Sequence, residues 1–176
     1  MAAEAAGGAQ ESGRPRPPEV IGTGFLLSAL GAHSAMNFAR RIAPMGLTPP
    51  HVGLLRGIGV APGRSQQAIA EEFGMPPSRL VAFIDDLEAA GLVERRRDER
   101  DRRAHSLYLT PAGSRAMRRL AEIARRAEED LLGALSTEDR RRLRQLLERL
   151  VAEQRLTPGV HPGYRRMRPE GEPPTC

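Results

Sequence analysis

Arg95-Arg-Arg-Asp-Glu-Arg-Asp-Arg-Arg103, with Ala104-His-Ser-Leu-Tyr-Leu-Thr110-Pro-Ala-Gly113 directly behind it, is the stretch on which the fold turns. Six arginines and three acids lie between the short apolar run Gly91-Leu-Val93 and the alternating run Ser106-Leu-Tyr-Leu109. Alternation at period two around a solvated tip outlines a β-hairpin. A charge run by itself is usually no more than a wet loop. Its upstream neighbour changes the reading. An arginine-tipped hairpin beside a helical pair is suited to nucleic acid, because a narrow minor groove concentrates negative potential that attracts arginine.

That neighbour is Gln67-Ala-Ile-Ala-Glu-Glu-Phe-Gly74-Met-Pro-Pro-Ser-Arg-Leu-Val-Ala-Phe-Ile84. Ser65 is placed to cap a short helix over 66–73, and Gly74 to close it in the left-handed conformation. Pro76-Pro77-Ser78 opens a second helix running to Ala90, with Leu80, Phe83 or Ile84, and Leu87 on its buried face. Ala70 is small where the two would cross. Helix, tight glycine turn and helix is equally the outline of an ordinary helical hairpin. The hairpin that follows decides for a winged helix-turn-helix, whose second helix enters the major groove.

Outward from this unit the pattern is helical. An apolar segment over 25–43 carries Phe25, Leu26, Leu27, Leu30, Met36, Phe38 and Ile42 around most of its circumference. A helix apolar on more than one face must bury both, and a second copy of a chain this short is the natural cover. Thr48 as N-cap with Pro49 behind it opens the next helix, expected to end in the glycine-rich turn 57–64. Thr110-Pro111 opens a fifth, with Met117, Leu120, Ile123 and Leu131 at helical spacing. Ser136-Thr-Glu-Asp139 opens a sixth, with Leu143, Leu146, Leu147, Leu150 and Val151 on one face. The fold expected is mainly α with a small β-hairpin wing. Residues 1–20 read as a disordered arm and 155–176 as a flexible tail. Residues 21–47 and 111–154 read as a helical dimerisation region, and 48–110 as the DNA-binding domain.

Composition narrows the function. The chain has 176 residues, formal net charge +5, and arginine at every one of its 27 basic positions. That charge is compatible with a polyanionic partner. Aromatic residues make up only 3 %, with no Trp, which disfavours the stacking platforms of single-strand and RNA modules. No apolar run approaches 20 residues, and the N-terminus lacks a signal-peptide pattern, so a cytoplasmic protein without membrane contact is expected. A single cysteine, Cys176, rules out a disulfide framework or Cys-rich zinc site. The four histidines are scattered, and no Ser-His-Asp arrangement or phosphate-binding glycine loop is present. No enzyme, metal or cofactor is expected.

The chain resembles the MarR family of transcriptional regulators over about residues 25–153. The resemblance rests on Leu87-Glu-Ala-Ala-Gly-Leu-Val93 with Arg95, Asp101-Arg-Arg103, and Leu109-Thr-Pro-Ala-Gly113, in combination and at the right spacing. It implies a homodimer presenting two winged helices to a palindromic operator on double-stranded DNA, most often as a repressor released by a small molecule. A constitutive or architectural DNA-binding protein without an effector is the alternative. Carried over residue by residue, Arg103 matches the arginine that enters the minor groove, and Asp101 the acid that braces the wing. Ser78 and Arg79 stand at the start of the recognition helix. Ser65 and Gln66 suit a phosphate at a helix N-terminus. Pro77, Arg95 and Arg102 complete the expected DNA-contacting set. Many relatives carry arginine at the position of Ala82 and a basic residue at that of Asp86, so readout is expected to fall more on Arg79, Pro77 and the wing. For the effector, an aromatic acid, His33, Met36, Asn37 and Arg40 on the first helix and His51 and Leu55 on the second form the candidate cleft.

Overall fold

The computed structural model describes residues 21–97 and 105–156. It divides into two units between His33 and Ser34. Among the described residues, six helices and three short strands follow in the order α1 (Thr23–Ile42), α2 (Pro49–Val60), β1 (Arg64–Ser65), α3 (Gln66–Phe73), α4 (Pro77–Ala89), β2 (Val93–Arg97), β3 (His105–Leu109), α5 (Pro111–Leu131) and α6 (Thr137–Glu153), with a 3₁₀ turn at Ala43–Met45. This is the mainly helical chain with a small antiparallel sheet that the sequence led us to expect.

Local chemistry sets the boundaries. Ser65, Thr110 and Ser136 each accept the N3 backbone N–H of the helix they precede, the N-cap bond worth about 1 kcal/mol. At the end of α3, Gly74 sits at φ 57°, and the Met75 N–H reaches back to the Ala70 carbonyl at 2.9 Å. Gly91, at φ 68°, ends α4 in the same way, the Leu92 N–H donating to the Leu87 carbonyl at 2.9 Å. Both are Schellman closures, which require a left-handed residue at that point.

Two elements depart from expectation. α2 runs on through Gly57 and Gly59 to Val60, because Gly57 lies where the Phe73 ring passes. A Cβ there would come within 3.0 Å of that ring, so these glycines serve close packing rather than a turn. The sheet has three strands in the order β1-β3-β2. β1 is a two-residue strand pairing Arg64 with Leu107 and Ser65 with Ser106, too short to leave a periodic signal.

The core lies under the helix-turn-helix. Leu54, Leu55 and Ile58 of α2, Ile69 of α3, Leu80, Ile84 and Leu87 of α4, Leu107 of β3 and Leu120 of α5 are all buried. Each contributes roughly 1.5–3 kcal/mol on burial. Phe38, Met117 and Ile123 pack half-buried against them. Phe25, Leu26, Leu27 and Leu30 of α1 are exposed in the single chain, as are Leu146, Leu147, Leu150 and Val151 of α6.

Candidate nucleic-acid interface

The hairpin grows directly out of α4. After Gly91, β2 pairs with β3 from Val93 opposite Leu109 to Arg97 opposite His105. Its base is anchored to α5. The Thr110 N–H donates to the Leu92 carbonyl at 3.1 Å, and the Thr110 hydroxyl donates to the Gly91 carbonyl at 2.7 Å while capping Gly113. Gly113 is required here, since a Cβ would stand 2.0 Å from the Leu92 carbonyl oxygen. The Leu-Thr-Pro-Ala-Gly motif is therefore the joint between wing and α5. Further out, the Arg96 guanidinium lies 4.4 Å from the centroid of the Tyr108 ring, a cation–π contact, and pairs with Glu94. Asp101, Arg102 and Arg103, expected at the wing tip, lie outside the described residues.

The remaining expected DNA-contacting residues fall on the helix-turn-helix, with unequal freedom. Pro77 and Ser78 are exposed in the first turn of α4, and Ser65 half-buried before α3. Arg79 follows Ser78, but its Nε and Nη2 are buried without a hydrogen-bonding partner. Its guanidinium is folded onto the protein in the free chain.

Arg95 is occupied. Its Nη2 lies 2.5 Å from Asp85 and its Nη1 pairs with Glu88, both on α4. With the amide oxygen of Gln66 turned toward it, Nε and Nη2 also donate to Gln66 on α3, at 3.0 and 3.1 Å. Burial works against the charge of this guanidinium, but the hydrogen bonds to Asp85 and Glu88 outweigh it and hold its pKa above the usual arginine value. Arg95 and Gln66 therefore join β2, α3 and α4, where the sequence assigned Gln66 to a phosphate and Arg95 to the DNA-contacting set. The separations between Arg95 and these acids, unlike an i,i+4 pair, leave no sequence signal.

His51 is likewise spoken for. It is buried, and its Nδ1 accepts the Thr48 backbone N–H at 3.1 Å, completing a reciprocal cap on α2. The neutral ring therefore carries its proton on Nε2, 3.4 Å from the Asp86 carboxylate on α4. The ring meets Phe83 edge-on at 5.1 Å. Burial lowers its pKa more than Asp86 raises it.

The residues read as an effector cleft differ in exposure. Leu55 is fully buried in the core. Asn37 accepts from Arg40 and Arg41, while Met36, Arg40 and His33 are exposed. Two depressions lie elsewhere on the described residues. One of about 550 Å³ runs between α3 and α4 along Gln66, Ala70, Gly74, Met75, Pro77 and Val81. The second, of about 480 Å³, has apolar walls from Pro44, Met45 and Ile123, with Arg41, Arg119, Arg126 and Glu122 around them. Arg41 is held by Asp130 at 2.5 Å. Hydrogen bonds from Arg125 and Arg126 hold the Glu122 carboxyl down at about 2. Among the described residues, no group of acids, histidines or cysteines is placed to hold a metal, and no helix is long and apolar enough to cross a membrane.

A helix-turn-helix continued by an arginine-bearing antiparallel wing defines the winged-helix class. Comparison with known proteins specifies it further. Residues 45–104 match the model of the MarR family. A putative transcriptional regulatory protein for the hcr operon of Thauera aromatica is 36 % identical over 143 residues, spanning 77 % of this chain and 86 % of that protein. The HTH-type transcriptional repressor Rv2887 of Mycobacterium tuberculosis is 28 % identical, over 74 % of this chain and 94 % of its own. Among solved structures, the transcriptional repressor CouR bound to a 23-mer DNA duplex superposes with a TM-score of 0.65 at 32 % identity, covering 73 % of this chain and 92 % of that one. The chain belongs to the MarR family, whose members are transcriptional regulators rather than enzymes.

Proposed function

We propose that the protein is a homodimeric repressor that binds a palindromic operator on double-stranded DNA in the cytoplasm and is released by a small aromatic acid. The observation that carries this reading is the continuity of α4 with the arginine-rich hairpin, the two clamped together through Arg95. A helix end and a wing fixed to each other can engage adjacent grooves of one duplex. Pro77, Ser78 and Ser65 at the helix N-termini, with Arg102 and Arg103 of the wing, are assigned to DNA. Asp101 is assigned to bracing the wing, and residues 48–110 form the DNA-binding domain.

Dimerisation is assigned to 21–47 and 111–154. The exposed Leu146, Leu147, Leu150 and Val151 of α6 support this, as an apolar stripe on a terminal helix needs a cover. An effector is supported by the crystal structure of Rv2887 in complex with salicylic acid. In this chain the depression edged by Arg41, Arg119 and Arg126 combines guanidinium groups with apolar walls, the chemistry an aromatic carboxylate needs.

Footprinting on the DNA flanking the coding region, with and without salicylate, tests the proposal. Protection of a palindrome, lost as salicylate rises, is the expected result. Protection that no aromatic acid disturbs would leave a constitutive DNA-binding protein, and no protection anywhere would overturn the reading.

A further inference from the structure

Side chains that read guanine or adenine bidentately are missing from the outer face of α4, where the Ser78 hydroxyl is the exposed donor. Leu80, Ile84 and Leu87 are buried and Phe83 half-buried, so the helix turns Pro77, Ser78, Val81, Ala82, Asp85, Asp86, Glu88 and Ala89 outward. In the major groove, guanine is read by arginine or lysine, adenine by asparagine or glutamine, and the thymine C5-methyl by apolar contact. The α4 sequence contains no lysine, asparagine or glutamine, and one arginine, Arg79. Two of that arginine's three guanidinium nitrogens are buried. What stands at the middle of the exposed face is the isopropyl group of Val81, 40 % exposed, beside the methyl of Ala82. Val81 also lines the apolar groove beneath Met75 and Pro77.

The acids one turn further on bear on the same question. Carboxylates facing a duplex repel its phosphates, but Asp85 and Glu88 are both paired with Arg95. That pairing offsets two of the three carboxylates behind the apolar part of α4; the third, Asp86, is exposed and lies 3.4 Å from the His51 Nε2.

We propose that α4 reads its operator half-site through thymine C5-methyl groups packed against Val81 and Ala82. This rests on the assignment of α4 as the recognition helix, and the test separates the two. An operator duplex is first selected from a random pool with the full chain. Each thymine is then replaced by uracil, which removes the methyl and leaves the pairing edge intact. Burying one methyl is worth about fourfold in affinity. Binding should therefore weaken about fourfold at one or two positions per half-site, and roughly 15-fold when both halves of a palindrome are changed. In Val81→Ala the penalty at one of these positions should shrink, while affinity for the fully uracil-substituted duplex stays near that of the parent. Specific binding with no uracil penalty at any position would overturn the inference and leave DNA recognition standing. So would a penalty that Val81→Ala and Ala82→Gly both leave unchanged. Failure to select or bind any duplex would overturn the recognition-helix assignment itself, and this inference with it.

Discussion

Replacing Gly113 with alanine should destabilise the protein, although the same change in an exposed helix would stabilise it. Gly113 is the third residue of α5, and its added Cβ would stand 2.0 Å from the Leu92 carbonyl oxygen and 3.0 Å from its carbon. Even a close C–H···O contact needs about 3.3 Å, so backbone must part from backbone by roughly 1.3 Å. Neither side has a flexible end to yield. The displacement would break the Thr110 N–H bond to the Leu92 carbonyl and the Thr110 hydroxyl bond to the Gly91 carbonyl, at about 1 kcal/mol each. Strain of about 1–3 kcal/mol adds to this. Alanine recovers about 1 kcal/mol of helix propensity. The net loss is about 2–4 kcal/mol, or a fall in Tm of roughly 4–16 °C for a chain of this size. Urea and thermal unfolding followed by circular dichroism, at one fixed protein concentration, would measure it. Gly24→Ala, where nothing lies within 4 Å, should stay within about 1 kcal/mol of the parent. A Gly113→Ala protein as stable as the parent would refute the argument that this glycine is dictated by the joint between wing and helix.

Other outcomes follow from the charged network and the helix faces. The folded-state pKa of His51 lies below its unfolded value, so the unfolded chain takes up the proton first. The resulting stability is complete above the ordinary histidine pKa of about 6.5 and declines as pH falls toward the lowered value. His51→Gln should flatten that part of the stability–pH curve, and an unchanged slope would count against the burial of the imidazole. Arg95→Ala should weaken DNA binding by loosening the wing while leaving the salt slope unaltered, because its guanidinium faces Asp85 and Glu88. The double variant Asp85→Asn/Glu88→Gln should free that guanidinium and steepen the slope by up to about 0.9 if it reaches a phosphate. A shallower slope in Arg95→Ala would show that the parent arginine already contacts DNA. Leu150→Arg, on the exposed apolar face of α6, should shift the mass seen by light scattering from dimer toward 19.2 kDa. A monomeric parent would remove the basis of the dimer proposal.

Much of the architecture was legible one turn at a time. Ser65, Thr110 and Ser136 announced their helices because an N-cap acts on a backbone group three residues away. Gly74 and Gly91 announced helix ends because a left-handed closure is equally local. Alternation in Ser106–Leu109 marked β3, and together with the Asp101–Arg103 and Leu109–Gly113 motifs it pointed to the family. The partners that decide what a charged side chain does lie beyond that range. Gln66 reads as a phosphate ligand and Arg95 as a DNA contact, and only the folded chain brings Arg95 against Gln66, Asp85 and Glu88. His51 read as a ligand residue until its ring was found capping α2 beneath α4. Arg79 reads as a residue of base readout at the start of a helix, yet two of its guanidinium nitrogens are buried in the free chain. Strand β1 has only two residues, and it exists because Leu107 and Ser106 offer it an edge. Periodicity and capping depend on neighbours within about four residues, which the sequence itself supplies. Whether a cation meets a carboxylate or solvent depends on which helices come to lie side by side, and only the packing of the core around Leu54, Ile84 and Leu107 decides that.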